Sequence, residues 1–352
     1  MSKQAKYWFS GHKDSIDDFQ LSPELSFLGP NHLLTGSSDK TSRLFDIRTQ
    51  KNVKGIVGFK DSVSSVQFNG SSSIPHIYLS SGNELFTYDL RNTGLIYSEP
   101  LQSLDVGEEV NSITMNTSNS ALAIATDKGE LRTFKCSQSG LKSDKVKQAH
   151  EMIAMDIKFI GDKSTQVITG GYDNYLRIWD LNKVKPVESF NMAEYYELGS
   201  KGNGANQMIN PPFVNSIQMT SDTKQIFCAS GDGAIKLFYK HIPPKAHKAE
   251  WTCYNIPDAH NYTITNIELV EKEDCNMIIS SGNDKKVKVW KFIKKPSPKT
   301  EVFETLVDNF EVDPIIKFNC MRVVDSSLSS ILCTGISKDK SREFGIGLFE
   351  LN

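Results

Sequence analysis

No stretch of this 352-residue chain approaches 18 apolar residues in a row, and its first fourteen residues, MSKQAKYWFSGHKD, contain no apolar core. Neither a transmembrane helix nor a secretory leader is expected, so the expected setting is the cytoplasm, the nucleus or both. An excess of one charge is also missing: 40 Lys and Arg face 42 Asp and Glu, a formal charge of −2. Without a global basic field, neither nucleic acid nor a membrane surface is an expected partner. The six cysteines (Cys136, Cys228, Cys253, Cys275, Cys320 and Cys333) include no Cys-x-x-Cys pair. That spacing speaks against a zinc site and a dense disulfide framework, and leaves reduced, buried thiols as the expectation. The strings G-x-S-x-G, H-E-x-x-H and G-x-x-x-x-G-K-[S/T] are absent. The usual hydrolase, metalloprotease and nucleotide signals are therefore missing, and no catalytic residue, cofactor or metal is expected. With 38% hydrophobic and 23% charged residues the chain is globular rather than disordered.

What the chain does contain is a repeat. LLTGSSDKTSRLFD (33–46), VITGGYDNYLRIWD (167–180) and MIISSGNDKKVKVW (277–290) share an apolar run, a small polar cluster with Asp, and an alternating stretch that ends in an aromatic. The apolar run reads as a buried strand, the Ser/Gly/Asp cluster as a tight turn and the alternation as the returning strand. Weaker copies bring the number of hairpins to seven. Their turn landmarks Asp39, Asn83, Asp127, Asp173, Asp232, Asp284 and Asp339 are spaced 44, 44, 46, 59, 52 and 55 residues apart. A further short apolar strand precedes each hairpin, as in SVSSVQF, EVNSITM and FVNSIQM, and a fourth fits between units. Four short strands repeated seven times predict an all-β, seven-bladed β-propeller spanning 1–352 as one domain. The last repeat stops at its third strand, so residues 5–9 are expected to close blade seven as its outer strand.

These residues resemble the WD-repeat (Trp-Asp) propeller family over nearly the whole chain. Gly11-His12, Ala149-His150 and Ala259-His260 are similar to the family's opening Gly-His, while Phe45-Asp46, Tyr88-Asp89, Trp179-Asp180 and Trp290-Lys291 match its close with substitutions. The resemblance implies structural tetrads: His150, Asp173, Thr169 and Trp179 in blade four, and His260, Asp284, Ser280 and Trp290 in blade six. Blade one offers His12, Asp39 and Thr35 with Phe45 in place of Trp, so its chain of bonds is expected to end early. The same set recurring at hairpin spacing reads as structure rather than as a nucleophilic triad. His76, His241 and His247 read as loop residues of different blades, too scattered for a site.

Arg48 and Arg91 each stand two residues after the Asp (Asp46, Asp89) that closes a third strand. With the Asp turn at the top of a blade, both emerge at the bottom rim of adjacent blades. The pattern resembles the aromatic-Asp-x-Arg box through which WD-repeat substrate receptors dock on the DDB (damaged-DNA-binding) adaptor of cullin-4 ubiquitin ligases. A planar guanidinium suits such a contact because its fork makes paired, charge-assisted bonds. Blade four has Asn182 at this place and is not expected to dock. The longest step holds an insertion, 191–212, expected to rise from the top face, with Tyr195, Tyr196, Asn210 and Pro211 as a partner-binding loop. QMINPPFVNSI, GFKDSVSSVQF, EEVNSITMN and DGAIKLF resemble one branch of the family, a predicted cullin-4 receptor. In KKVKVWKFIKKPSPKT (285–300) lysines alternate with apolar residues, as on a half-buried strand. The reading is a non-enzymatic interaction scaffold for proteins or peptides, and specifically a substrate receptor on the cullin-4 adaptor. The alternative is a scaffold subunit of a chromatin, RNA-processing or trafficking complex.

Overall fold

Short apolar strands punctuated by Asp turns cannot cover their own faces, so each sheet must bury itself against the next. A computed structural model of the chain describes residues 2–161, 165–195, 210–242, 249–294, 304–325, 327–340 and 344–351. It contains seven mostly antiparallel sheets arranged as a β-propeller, five of four strands and two of five. Blade one is built, from the centre outward, of Ile16–Leu21, His32–Ser37, Ser42–Asp46 and Lys51–Ile56. The inner strands of blades two to seven are Val63–Phe68, Val110–Met115, Ala154–Phe159, Val214–Met219, Ile264–Glu271 and Ile315–Val323. They surround a polar central channel of about 520 Å³.

Second strands are covered on both faces, which is why they read as unbroken apolar runs; Ala121–Thr126 is buried at every residue. The apolar residues collect into seven clusters. One joins Leu34 and Leu44 of blade one to Val63, Phe68 and Leu79 of blade two, and another joins Phe310 of blade six to Phe318 and Met321 of blade seven. The hairpin turns place one residue after the landmark Asp in the left-handed region: Lys40 (φ 63°), Asn174 (φ 64°), Lys285 (φ 68°) and, least strained, Gly233 (φ 84°).

The ring closes as the missing final strand requires. Tyr7–Phe9 pairs antiparallel with Ile346–Glu350, so the N-terminal segment forms the outer strand of blade seven. Phe9 meets Phe45 of blade one with ring centroids 5.7 Å apart. Two edge pairings have no counterpart in the repeat. Ser2–Gln4 runs parallel to Glu311–Asp313 as a fifth strand of blade six. Ile96–Tyr97 leaves blade two and runs parallel to Gly55–Ile56 of blade one.

Around the channel, each inner strand carries a register shift near its start: Ile16/Asp18, Val63/Ser65, Val110/Ser112, Ala154/Asp156, Val214/Ser216, Ile264/Asn266 and Ile315/Lys317, with a further shift at Phe318/Cys320 in blade seven. Bulges twist a strand and re-aim side chains. Here polar groups on these strands reach into neighbouring blades. Asp18 Oδ2 accepts from Ser65 Oγ and Val66 N, both at 3.1 Å, and Ser65 Oγ accepts from Ile113 N at 3.2 Å. Ser112 Oγ donates to Asp156 Oδ1 at 3.0 Å, Asp156 Oδ2 accepts from Ile217 N at 2.8 Å, and Ser216 Oγ accepts from Ile267 N at 3.5 Å. Arg322 of blade seven completes the circle, donating to Glu268 Oε1 of blade six at 3.5 Å and Asp18 Oδ1 of blade one at 3.1 Å.

Two predictions follow from this closure. Phe9→Ala should lower unfolding free energy by about 3 kcal/mol, the scale of emptying a buried phenylalanine site. Asp18→Ala should cost about 2 kcal/mol by orphaning partly buried donors on two neighbouring blades. Both are read from urea unfolding midpoints, with the exposed Ser73→Ala as a silent control.

Candidate functional site

Histidine, aspartate and a hydroxyl meet at the top of three blades because an opening segment and a hairpin are tied together there. In blade four, His150 Nδ1 lies 2.8 Å from Asp173 Oδ1, His150 Nε2 lies 2.8 Å from Thr169 Oγ1, and Trp179 Nε1 donates to Thr169 Oγ1 at 3.1 Å. Blade six repeats the arrangement: His260 to Asp284 at 2.8 Å, His260 to Ser280 at 2.8 Å, and Trp290 to Ser280 at 3.0 Å. In blade one His12 meets Asp39 at 2.9 Å and Thr35 at 2.8 Å, with no indole to extend the series. The glycines that precede these turns leave room for the imidazole. A Cβ on Gly171 or Gly282 would lie 2.4 Å from Nδ1 of His150 or His260.

Thr35, Thr169 and Ser280 are all 0% exposed, so none of these hydroxyls is open to a substrate. Among the described residues no group of three or more His, Cys, Asp or Glu is placed to hold a metal ion. His76 and His241 are not loop residues: they begin the strand His76–Ser81 and end the strand Ile235–His241. Cross-strand pairing with Asp89 draws His76 into the sheet, where both ring nitrogens lack a hydrogen-bond partner among the described residues. His247 lies outside the described residues. Blade five, which has no tetrad histidine, holds its turn with a wholly buried Lys236 that donates to Asp232 Oδ2 at 2.9 Å and Ser230 Oγ at 3.2 Å. Sequence reasoning missed it, although a cation stands at the same third-strand place in blades one, three, four and six.

At the bottom rim one local turn recurs. Arg48 N donates to Asp46 Oδ1 at 2.9 Å, Arg91 N to Asp89 Oδ1 at 2.9 Å, and Asn182 N to Asp180 Oδ1 at 3.0 Å. The guanidinium of Arg91 lies along its carboxylate, with Nε 3.0 Å from both oxygens, and holds Asp89 below the usual carboxylate range. Arg48 sits more loosely, 3.4 Å from Asp46. Their side chains stay 66% and 56% exposed, for Arg48 and Arg91 in turn. Asn182 is instead engaged by Lys145 Nζ at 2.5 Å.

The top-face insertion is described only at its ends. Tyr195 turns into the fold, its ring edge-on to Phe238 at 5.4 Å, while Tyr196 and residues 197–209 lie outside the described residues. Asn210 Nδ2 donates to Thr263 Oγ1 at 2.8 Å, which ties the end of the insertion to the entry of blade six, and Pro211 is exposed above Gly231. The strand Lys286–Ile293 buries Val287, Val289 and Phe292 while its lysines stay at least partly accessible. Lys295 to Thr300 lie outside the described residues.

Burial alone would raise the Asp173 carboxyl, but bonds from His150 and Arg177 outweigh it and hold the group far below its usual range. Burial also depresses His150 and His260, against the pull of Asp173 and Asp284. In each case the folded chain binds protons less readily than the unfolded one. Stability is therefore complete above the unfolded histidine value of 6.5 and declines as pH falls below it, with a second loss below the unfolded carboxylate value of 3.8. Urea midpoints should fall between pH 7 and about pH 5, and His150→Gln should flatten that part of the profile; an unchanged slope would contradict the assignment.

Residues 3–46, 142–180 and 251–291 match the family model described as WD domain, G-beta repeat. Each match spans one of the three histidine-bearing hairpins. The chain is also similar to the WD repeat-containing protein 53 homolog of Dictyostelium discoideum, at 24% identity over 358 residues, which covers 94% of this chain and 91% of that relative. The seven sheets on one four-strand plan make this chain a seven-bladed β-propeller, and three of its stretches are WD40 repeats, which point to a protein-interaction scaffold.

Proposed function

We propose that the propeller is a non-enzymatic substrate receptor that docks on the DDB adaptor of a cullin-4 type ubiquitin ligase through Arg48 and Arg91. The observation that carries this reading is the pair of exposed guanidinium forks, held by the same Asp turn at the lower ends of adjacent third strands. Such a turn orients the side chain in advance, so less freedom is lost when a partner's carboxylate or carbonyl arrives. Arg91 presents one edge to Asp89 and leaves Nη1 for a partner. Asp46 and Asp89 act as positioning residues. The opposite face, with Asn210 and Pro211 at the end of the 191–212 insertion, would then hold the client. A disc with two independent faces suits a part that joins a client to a machine.

Arg48→Ala combined with Arg91→Ala should reduce co-purification with the adaptor at least tenfold. It should leave the melting temperature nearly unchanged, because exposed ion pairs contribute about 1 kcal/mol at most. Adaptor recovery equal to wild type would sink the docking reading. Recovery of a stable stoichiometric complex without cullin subunits would favour a chromatin, RNA-processing or trafficking scaffold instead.

A further inference from the structure

Five third strands place a cation opposite the middle of the second strand: Arg43 faces Thr35, Arg132 faces Ile124, Arg177 faces Thr169, Lys236 faces Cys228 and Lys288 faces Ser280. Four of them are satisfied. Arg132 binds Glu130 at 2.7 Å, Arg177 binds Asp173 at 2.7 Å, Lys236 binds Asp232 at 2.9 Å, and Lys288 donates to the Ala259 carbonyl. Among the described residues Arg43 has no such acceptor, and its Nε is buried without a hydrogen-bond partner.

The cause lies in blade one's own turn. Asp39 Oδ1 accepts from Thr41 N at 3.0 Å and Thr41 Oγ1 at 2.6 Å, while Oδ2 accepts from Lys13 N and His12 Nδ1, both at 2.9 Å. Blade four has Tyr175 where blade one has Thr41, so no hydroxyl competes there and Arg177 reaches its aspartate. In blade one the carboxylate is saturated. Arg43 lies instead along Gly11, where an added Cβ would stand 3.3 Å from Nη1.

Arg43 lines a recess of about 340 Å³ on the flank of blade one, together with Val53, Val57, Leu95 and Ile96. The crossover from blade two supplies the apolar rim: Leu95 is 76% exposed and Ile96 65% exposed. Gly55, opposite Arg43, keeps the floor open, since a Cβ there would meet nothing within 4 Å. Next to Arg43 in the chain, Ser42 Oγ is also buried without a partner among the described residues. Lys54 is already engaged, with Nζ 2.7 Å from Asn92 O and 2.9 Å from Gly94 O, and so pins the crossover in place.

We infer that this flank is a second docking site, separate from the bottom rim, for a short peptide segment carrying an Asp or Glu beside a bulky apolar residue. An unpaired guanidinium with a partly buried edge favours an anion, and its fork matches the two oxygens of a carboxylate. A phosphate would call for a second free cation, and Lys54 is committed elsewhere. The exposed Leu95 and Ile96 supply the apolar half of the recognition.

The test uses fluorescein-labelled heptapeptides that place Asp next to Leu or Phe, the same peptides with Asn, and phosphoserine versions, all measured by anisotropy against the full chain. The Asp peptides should bind at least tenfold more tightly than their Asn counterparts. Arg43→Met and Gly55→Leu should each remove that preference, while Arg48→Ala with Arg91→Ala keeps it, which separates this site from the rim. Arg43→Met should leave the melting temperature in place, whereas Arg177→Met lowers it. The inference is overturned if no Asp peptide outperforms its Asn partner, if phosphoserine versions bind best, or if the preference survives both recess variants.

Discussion

The belt of hydrogen bonds around the channel is the constraint on which the rest of the structure depends. A ring of sheets is stable only when every joint is crossed, because one open joint leaves two apolar faces in water. Each joint here is crossed by a polar group on an inner strand, and the last two joints share the Arg322 fork. A second set of bonds runs alongside: Ser64 Oγ to Val110 O at 2.7 Å, Asn111 Nδ2 to Ala154 O at 3.2 Å, Asn215 Nδ2 to Ile264 O at 2.9 Å and Asn319 Nδ2 to Ile16 O at 3.1 Å. Directional bonds at the narrow centre fix the angle between blades, while the apolar clusters farther out supply most of the driving force.

With the centre fixed, the blades can differ farther out. Blade four anchors its top turn with a full histidine tetrad, blade one with a truncated set, and blade five with Lys236 and Asp232. Each solution satisfies the buried donors and acceptors of a hairpin, which is the requirement; the residue types are not. This freedom lets the blades differ in their top turns while the ring keeps its shape.

The repeat was legible because hairpins are local: an apolar run, an Asp turn and an alternating return lie within fourteen residues, as in VITGGYDNYLRIWD. Closure by the N-terminal strand was legible by counting, since the last repeat lacks a strand that Tyr7–Phe9 supplies. The parallel additions of Ser2–Gln4 and Ile96–Tyr97 were not, because pairings of three and two residues carry no periodicity and depend on which edge the fold brings near. The belt left a faint signal that went unread. Ser65, Ser112 and Ser216 occupy the same offset in SVSSVQF, EVNSITM and FVNSIQM, a hydroxyl at the same place in each of three inner strands. His76 misled because its flanking Ser and Pro residues suggest a loop, while the strand pairing that buries it lies thirteen residues away at Asp89.

Charge is left exposed where a blade's internal bonding leaves something over. On the bottom rim the Asp turn consumes a carboxylate and one edge of a guanidinium, and the rest of Arg91 faces solvent. On the flank of blade one, a threonine hydroxyl fills the last acceptor place on Asp39 and so displaces a cation that blade four keeps internal. The two surfaces arise by the same route: the frame satisfies its own polar groups first, and substitution at one turn residue decides which charge is left to meet a partner. Exposed charge in this propeller thus arises from small departures from the repeat, on a ring whose centre is fixed by its own hydrogen bonds.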